Sequence, residues 1–353
     1  MCKTSSTENG DNRMNDLSPK ERILRIFNKQ IVDRPPVICP GGMMNSAIVE
    51  IMNKTGNRLP EGHHDSSIMT SIAEDVYKYT GFENIGVPFC MTIESEVLGS
   101  SIDYGSISCE PKIYREAFSS TVDVIYKELS IMHKNSRVQA VAESIYHLSK
   151  EHVDVPVIGS ITGPISTSAS IITPSTFFRE LIRKPSYAHK LIDYTADNII
   201  EFAKLMIENG VTAISIADPT ATGEILGPNM FREYALRYIN KIVDAIHKMD
   251  IPVIVHICGN MNIVKKYIPK IRADAVSVDA SVNLSRLKQE YPQLTTMGNM
   301  STFLLELGDE QTIHLQTERL LQKQIDIIAP ACGLSTSTPL KNIISMTQAV
   351  KEY

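Results

Sequence analysis

Eight short apolar runs rich in β-branched residues recur along this 353-residue chain, and they limit the folds open to it. They occupy residues 36–39, 84–89, 155–160, 213–217, 252–256, 275–279, 294–298 and 325–329. Between most of them lie stretches with helical periodicity, among them 185–209, 231–249 and 310–324. Runs that are apolar throughout, rather than alternating, describe strands buried on both faces in a parallel sheet covered by helices. Eight such units close into a (β/α)8 TIM barrel of the α/β class, with an open doubly wound sheet as the rival arrangement. In a barrel, chemistry sits on the loops that leave the C-terminal strand ends. The segment 100–150 is too long for one crossover helix and requires an excursion or an extra helical layer. Residues 1–17 are polar and read as a disordered tail, and 18–353 read as one barrel domain without a linker.

Composition narrows the function classes. A net charge of −5 supplies no general basic field for nucleic acid. No apolar run reaches the roughly 18 to 20 residues that cross a bilayer, and the first residues lack the apolar core of a signal peptide. Six irregularly spaced cysteines do not form a secreted disulfide framework, so a reducing, cytoplasmic setting is the simple expectation.

Two of the strand ends carry metal-ligating residues. The fifth run ends Val-Ile-Val-His256-Ile-Cys258-Gly-Asn260, and the eighth is followed by Ala-Cys332-Gly-Leu-Ser335. His256 and Cys258 are two apart, so on a strand both side chains point to one side. Cys332 lies 74 positions on (332 − 258), yet in a barrel both loops open onto the same mouth. Three N/S donors without an obvious fourth match a catalytic zinc site, which keeps one position open. Taken singly, each cysteine also fits a small buried hydrophobe, the expectation held for Cys39, Cys90 and Cys109, with Cys2 in the tail. An oxidised Cys258–Cys332 pair is a further alternative. A thiol entering the open position of a zinc ion is deprotonated, and two cysteinates keep it electron-rich. The donor set therefore points to alkyl transfer onto sulfur more than to hydrolysis.

Other candidates carry two readings each. Asp218, at the end of the fourth run and before Pro219, is either a substrate-facing acid or a capping residue. Glu94, and with less support Glu96, follows the second run and offers a further carboxylate for zinc, or else a solvated helix face. Gly298-Asn299 would bring backbone N–H groups to an anion. Ser335, Thr336 and Ser337 precede a helix started by Pro339; they suit an anion or, as the preferred reading, N-capping. Asn260 orients a ligand or makes a turn. His63-His64 reads as a solvated loop, and Met43-Met44 as an apolar lining or core filler.

Together, His256-Ile-Cys258-Gly-Asn260 and Cys332-Gly-Leu-Ser-Thr-Ser-Thr-Pro339 resemble the zinc motifs of the methylcobamide:coenzyme M methyltransferases, in the uroporphyrinogen decarboxylase superfamily. The stretches 87–99 and 216–223 and the opening Pro19-Lys-Glu-Arg-Ile-Leu to Asp33-Arg-Pro-Pro-Val37 resemble this group too, so the likeness runs from about residue 18 to the C-terminus. The resemblance implies a uroporphyrinogen decarboxylase-like barrel in which His256, Cys258 and Cys332 hold Zn2+. It implies coenzyme M as the thiol and a methylated corrinoid, carried on a separate small protein, as methyl donor. None of the nine histidines has Asp two positions before it, so the Asp-x-His-x-x-Gly motif of corrinoid carriers is absent. Other outcomes within the group are a different methyl donor or acceptor, such as a methoxylated substrate or tetrahydrofolate. A uroporphyrinogen decarboxylase would present arginines after the first run, where this chain reads Cys39-Pro-Gly-Gly-Met-Met-Asn45. A zinc-binding or carrier-binding module without turnover is the non-enzymatic reading.

Overall fold

The computed structural model describes residues 16–41 and 45–353. Six parallel strands form one sheet in the order β1 (Ile85–Val87), β4 (Val157–Thr162), β5 (Ala213–Ala217), β6 (Val253–Ile257), β7 (Ala275–Val278) and β8 (Thr296–Met297). Every residue of β4 to β8 is buried, as expected for strands with a packed interior on one side and helices on the other. The first and eighth runs complete the circle through single parallel bridges, Val37 to Ile328 and Met297 to Ile327. On the other side of Val37, its carbonyl accepts from the Glu83 N–H at 2.8 Å. The molecule is thus an α/β TIM barrel in which all eight apolar runs take part.

Two of the eight runs are too sparsely bonded to form regular strands, and the sequence gives the reason. Pro35, Pro36, Pro40 and Pro330 remove the N–H donors that a ladder needs. Side-chain bonds take their place: Asn84 Oδ1 accepts from the Cys39 N–H at 2.8 Å, and Asn84 Nδ2 donates to the Cys39 carbonyl at 3.1 Å.

The outer layer includes the helices Ser66–Thr80, Ser136–Glu151, Pro185–Glu208, Arg237–His247, Glu310–Gln322 and Leu340–Lys351. Pro185 sits in the first turn of its helix, where its missing N–H has no cost, and a stripe from Ala188 to Met206 faces the sheet. The 100–150 segment contains the expected excursion: an antiparallel hairpin, β2 (Ser101–Asp103) with β3 (Lys112–Arg115), ahead of the helix Ser136–Glu151. Its connecting loop, 104–111, stands over the mouth of the barrel. Thr336 Oγ1 donates to the Ser108 carbonyl at 2.9 Å, and Tyr104 OH donates to Glu96 Oε1 at 2.8 Å.

At the opposite end, Arg22 is buried beneath the sheet. It donates to both Asp33 oxygens, to Glu83 Oε1 and to the Leu17 carbonyl. The packed structure therefore already includes Leu17; the remainder of the proposed tail up to residue 15, with Cys2, lies outside the described residues, as do Met43 and Met44. Among the described residues no helix is long and apolar enough to cross a membrane.

Candidate metal centre

The centre grows out of the register between β6 and β7. His256 lies opposite Ser277, both fully buried, and His256 Nδ1 is 2.9 Å from Ser277 Oγ. That bond fixes the ring so that Nε2 points away from the hydroxyl, where it lies 2.9 Å from Cys258 Sγ. Cys258 Sγ is in turn 2.9 Å from Cys332 Sγ, beyond the roughly 2.05 Å of a disulfide. The loop that carries Cys332 is held in place by the neighbouring strand end: Met300 bridges Pro330, and the Ala331 N–H donates to the Met300 carbonyl at 2.8 Å.

Three donors from two distant segments therefore converge, all within 4.8 Å of one another. The Cys258 hydrogen bond pulls the Cys332 thiol well below its ordinary range, with His256 adding to the effect, and Cys258 is pushed up correspondingly. A divalent cation bound between the two sulfurs would favour the thiolate form of both. Two sulfurs and one imidazole, oriented by a buried hydroxyl, make a donor set that zinc fits.

Cys332 also forms the inner wall of a cleft of about 610 Å3. Thr302, Phe303 and Glu306 line one side, Ser108 to Lys112 the other, and Gly333 to Thr336 the floor. A small molecule in this cleft meets Cys332, whose Sγ is 2.9 Å from Cys258 Sγ.

The remaining sequence candidates are placed as follows. Asp218 leaves the end of β5 fully buried, and its carboxylate accepts from the Ile165 N–H, the Ser166 N–H and Ser166 Oγ at 2.6–3.1 Å. It is a cap on the helix Pro164–Ile171, and burial pushes its carboxyl up to about 6 against those bonds. Its own N–H donates to the His256 carbonyl, which ties this cap to the ligand-bearing strand. Glu94 has both oxygens occupied by Thr162, through its N–H and its hydroxyl, and burial raises its carboxyl to about 7. Glu96 bonds Tyr104 and the buried Arg137. Neither joins the sulfur pair.

Asn260 Oδ1 accepts from the Asn262 N–H at 3.1 Å and so starts the 3-10 helix Met261–Lys270. Gly298 has φ +129°, a conformation suited to glycine, and its N–H donates to the Ile327 carbonyl, so that group closes the barrel rather than meeting an anion. Asn299 Nδ2 donates to the carbonyls of Asp279 and Val282.

Three expectations are corrected. Ser335 and Ser337 do not cap the last helix; both hydroxyls donate to Glu306 Oε1 at 2.7 Å, and Glu50 Oε2 receives the Leu340 N–H instead. A carboxylate at that spot also repels an anion. His63 is buried rather than solvated, because Arg137 packs over this turn and bonds the His63 carbonyl; burial and that guanidinium push His63 down to about 3. Cys109 is exposed, because it lies at the tip of the hairpin loop, whereas Cys39 and Cys90 are buried as expected.

Two residues beside the sulfur pair, and two in the cleft, escaped the sequence reading. Ser277 in β7 and Asp279 just past its end are spaced as His256 in β6 and Cys258 just past its end, and the register ends with Ile257 opposite Val278. Asp279 adds to the forces that raise the Cys258 thiol, and its Oδ1 accepts from the Ser281 N–H. The repeated two-residue step was the available signal. Glu110 and Lys112 reach the cleft only through the hairpin, which apolar periodicity does not locate.

The family model "Uroporphyrinogen decarboxylase (URO-D)" matches residues 18–353. The methylcobamide:CoM methyltransferase MtbA of Methanosarcina acetivorans is 32% identical over 96% of this chain and 99% of that protein. The methylcobamide:CoM methyltransferase MtaA of Methanosarcina barkeri is 27% identical over 96% of this chain and 99% of its own length. Among solved structures, a methyltransferase from Methanosarcina mazei superposes with a TM-score of 0.89 at 25% identity, covering 95% of this chain and 99% of that one.

Proposed function

Because the chain belongs to the uroporphyrinogen decarboxylase family, alongside its methylcobamide:CoM methyltransferases, we propose that it moves a methyl group from a methylated corrinoid to a zinc-bound thiol. The observation that carries this reading is the convergence of His256 Nε2, Cys258 Sγ and Cys332 Sγ, with Cys332 lining an open cleft. Zinc held by these three would supply Lewis acidity that favours the thiolate form of a bound thiol at neutral pH.

The chain's own residues do the rest. Ser277 holds the His256 ring so that Nε2 faces the sulfurs. Cys258 and Cys332 contribute negative charge, which keeps an added thiolate electron-rich. Asp279, one residue past β7, adds negative charge near Cys258 and stands outside the three-donor cluster. The cleft admits a thiol of the size of coenzyme M, the acceptor in the relatives' names. The donor arrives on a separate corrinoid carrier, in keeping with the missing Asp-x-His-x-x-Gly motif. One barrel spanning 18–353 houses the whole site, and two reduced cysteines suit the cytoplasm.

The test is an assay of zinc-loaded protein with methylcob(III)alamin and coenzyme M. Cob(I)alamin should form as free thiol disappears, and Cys258→Ala or Cys332→Ala should abolish both while the barrel stays folded by circular dichroism. Zinc-loaded wild-type protein that consumes no thiol overturns the proposal.

A further inference from the structure

The helix Thr302–Leu307 leaves the seventh strand end of the barrel and forms one wall of the cleft above Cys332. It is firmly anchored. Ser301 Oγ accepts from the Leu304 N–H, Leu305 is fully buried, and Asn342 Nδ2 donates to the Leu305 and Gly308 carbonyls. On this rigid support Phe303 is 76% exposed and Leu307, one turn on, is 79% exposed. A bulky aromatic displayed by a fixed element beside a functional cleft marks a place where another apolar surface is received.

The cleft itself decides what that surface is. Its far wall mixes Ser108, Glu110 and Lys112 with Cys109 and Pro111, and among the described residues that line the cleft Phe303 is the one aromatic. A volume of about 610 Å3 accommodates a small thiol. Sites of a few hundred to about 1,000 Å3 enclose drug-sized molecules, and a protein-borne corrinoid is far larger. Such a donor must therefore present its methyl group from the rim, with its ring lying against the wall that the helix provides.

We infer that Phe303 seats the macrocycle of the methyl donor, setting its approach to the thiol at Cys332; this rests on the methyl-transfer reading above. Phe303 is a positioning residue for the donor, at the exposed edge of the cleft.

The chain contains no tryptophan, so Phe303→Trp creates a single reporter at this rim, and Tyr146→Trp, on the helix Ser136–Glu151, creates a control. Hydroxocobalamin should quench the Phe303→Trp protein saturably and the Tyr146→Trp protein only weakly and without saturation. Phe303→Ser should raise KM for methylcobalamin about tenfold or more, well beyond any change in KM for coenzyme M and with the zinc content unchanged, and Phe303→Trp should restore it. Equal quenching at both sites, or an unaltered KM for methylcobalamin in Phe303→Ser, overturns the inference. So does a wild-type protein that self-associates in solution and loses that association in Phe303→Ser, which would give the face to a second copy of the chain. Absence of methyl transfer in the wild type would instead sink the functional reading, whereas the quenching comparison reports on donor seating independently of turnover.

Discussion

Replacing Ser277 with Ala removes a single hydroxyl that lies 2.9 Å from His256 Nδ1, and both residues are fully buried. No water can take the vacated place, so the imidazole keeps an unpaired polar nitrogen. Leaving such a buried group unsatisfied costs about 1 to 3 kcal/mol. The same bond orients Nε2 toward the sulfurs, and loss of a partner of this kind weakens metal binding about 10- to 100-fold. Those figures agree, since each tenfold corresponds to about 1.4 kcal/mol. Competition with a chromogenic chelator should therefore show zinc affinity lowered by one to two decades, roughly. Thermal unfolding of metal-free protein should fall by roughly 1 to 2 °C per kcal/mol at this chain length. A Ser277→Ala protein with wild-type zinc affinity and an unchanged midpoint would refute the argument that this hydroxyl sets the ring.

Three further outcomes follow from the buried charges and close contacts. Arg22→Met strands Asp33 and part of Glu83 and should destabilise by about 3 to 5 kcal/mol in urea unfolding; because Arg22 holds the Asp33 carboxyl down at about 2, wild-type stability from this group should be lost as pH falls from about 4 toward 2, and the variant should lack that component. Glu94 has the opposite sign: with its folded carboxyl raised to about 7, the native state keeps a proton that the unfolded chain has lost, so stability should decline between about pH 4.5 and 7 by at most about 1.4 kcal/mol per pH unit, and Glu94→Gln should flatten that slope. Gly163→Ala would place a methyl 2.4 Å from Asp218 Cβ and should destabilise by about 1 to 3 kcal/mol, measured by the same unfolding, whereas exposed Gly56 tolerates the space, if not the backbone angle, of a side chain.

The barrel was legible because its strands are continuous apolar runs, and all eight runs take part in the closed sheet. What the pattern missed was how the circle closes at Pro35, Pro36 and Pro330, where side-chain bonds from Asn84 replace ladder bonds that proline cannot make. At the site, His256 and Cys258 were readable from their two-residue step on a strand, and Cys332 from its place after the eighth run. Ser277 and Asp279 were hidden because cross-strand register is a tertiary property that one strand's sequence does not state. Ser335 and Ser337 misled for a related reason: local propensity favours capping, but Glu306 from the helix Thr302–Leu307 competes for the hydroxyls and wins. His63 likewise gave no local sign that a buried guanidinium, 74 residues on in sequence, would close over it.

The claim that the His256, Cys258 and Cys332 set is a thiol-activating zinc centre has one direct test. X-ray absorption at the zinc edge should be recorded on stoichiometrically loaded protein before and after coenzyme M is added. Two sulfurs near 2.3 Å, with nitrogen or oxygen neighbours completing the shell, should become three sulfurs when the thiol binds. A spectrum with two sulfurs in both states, taken with thiol in saturating excess, would contradict the account.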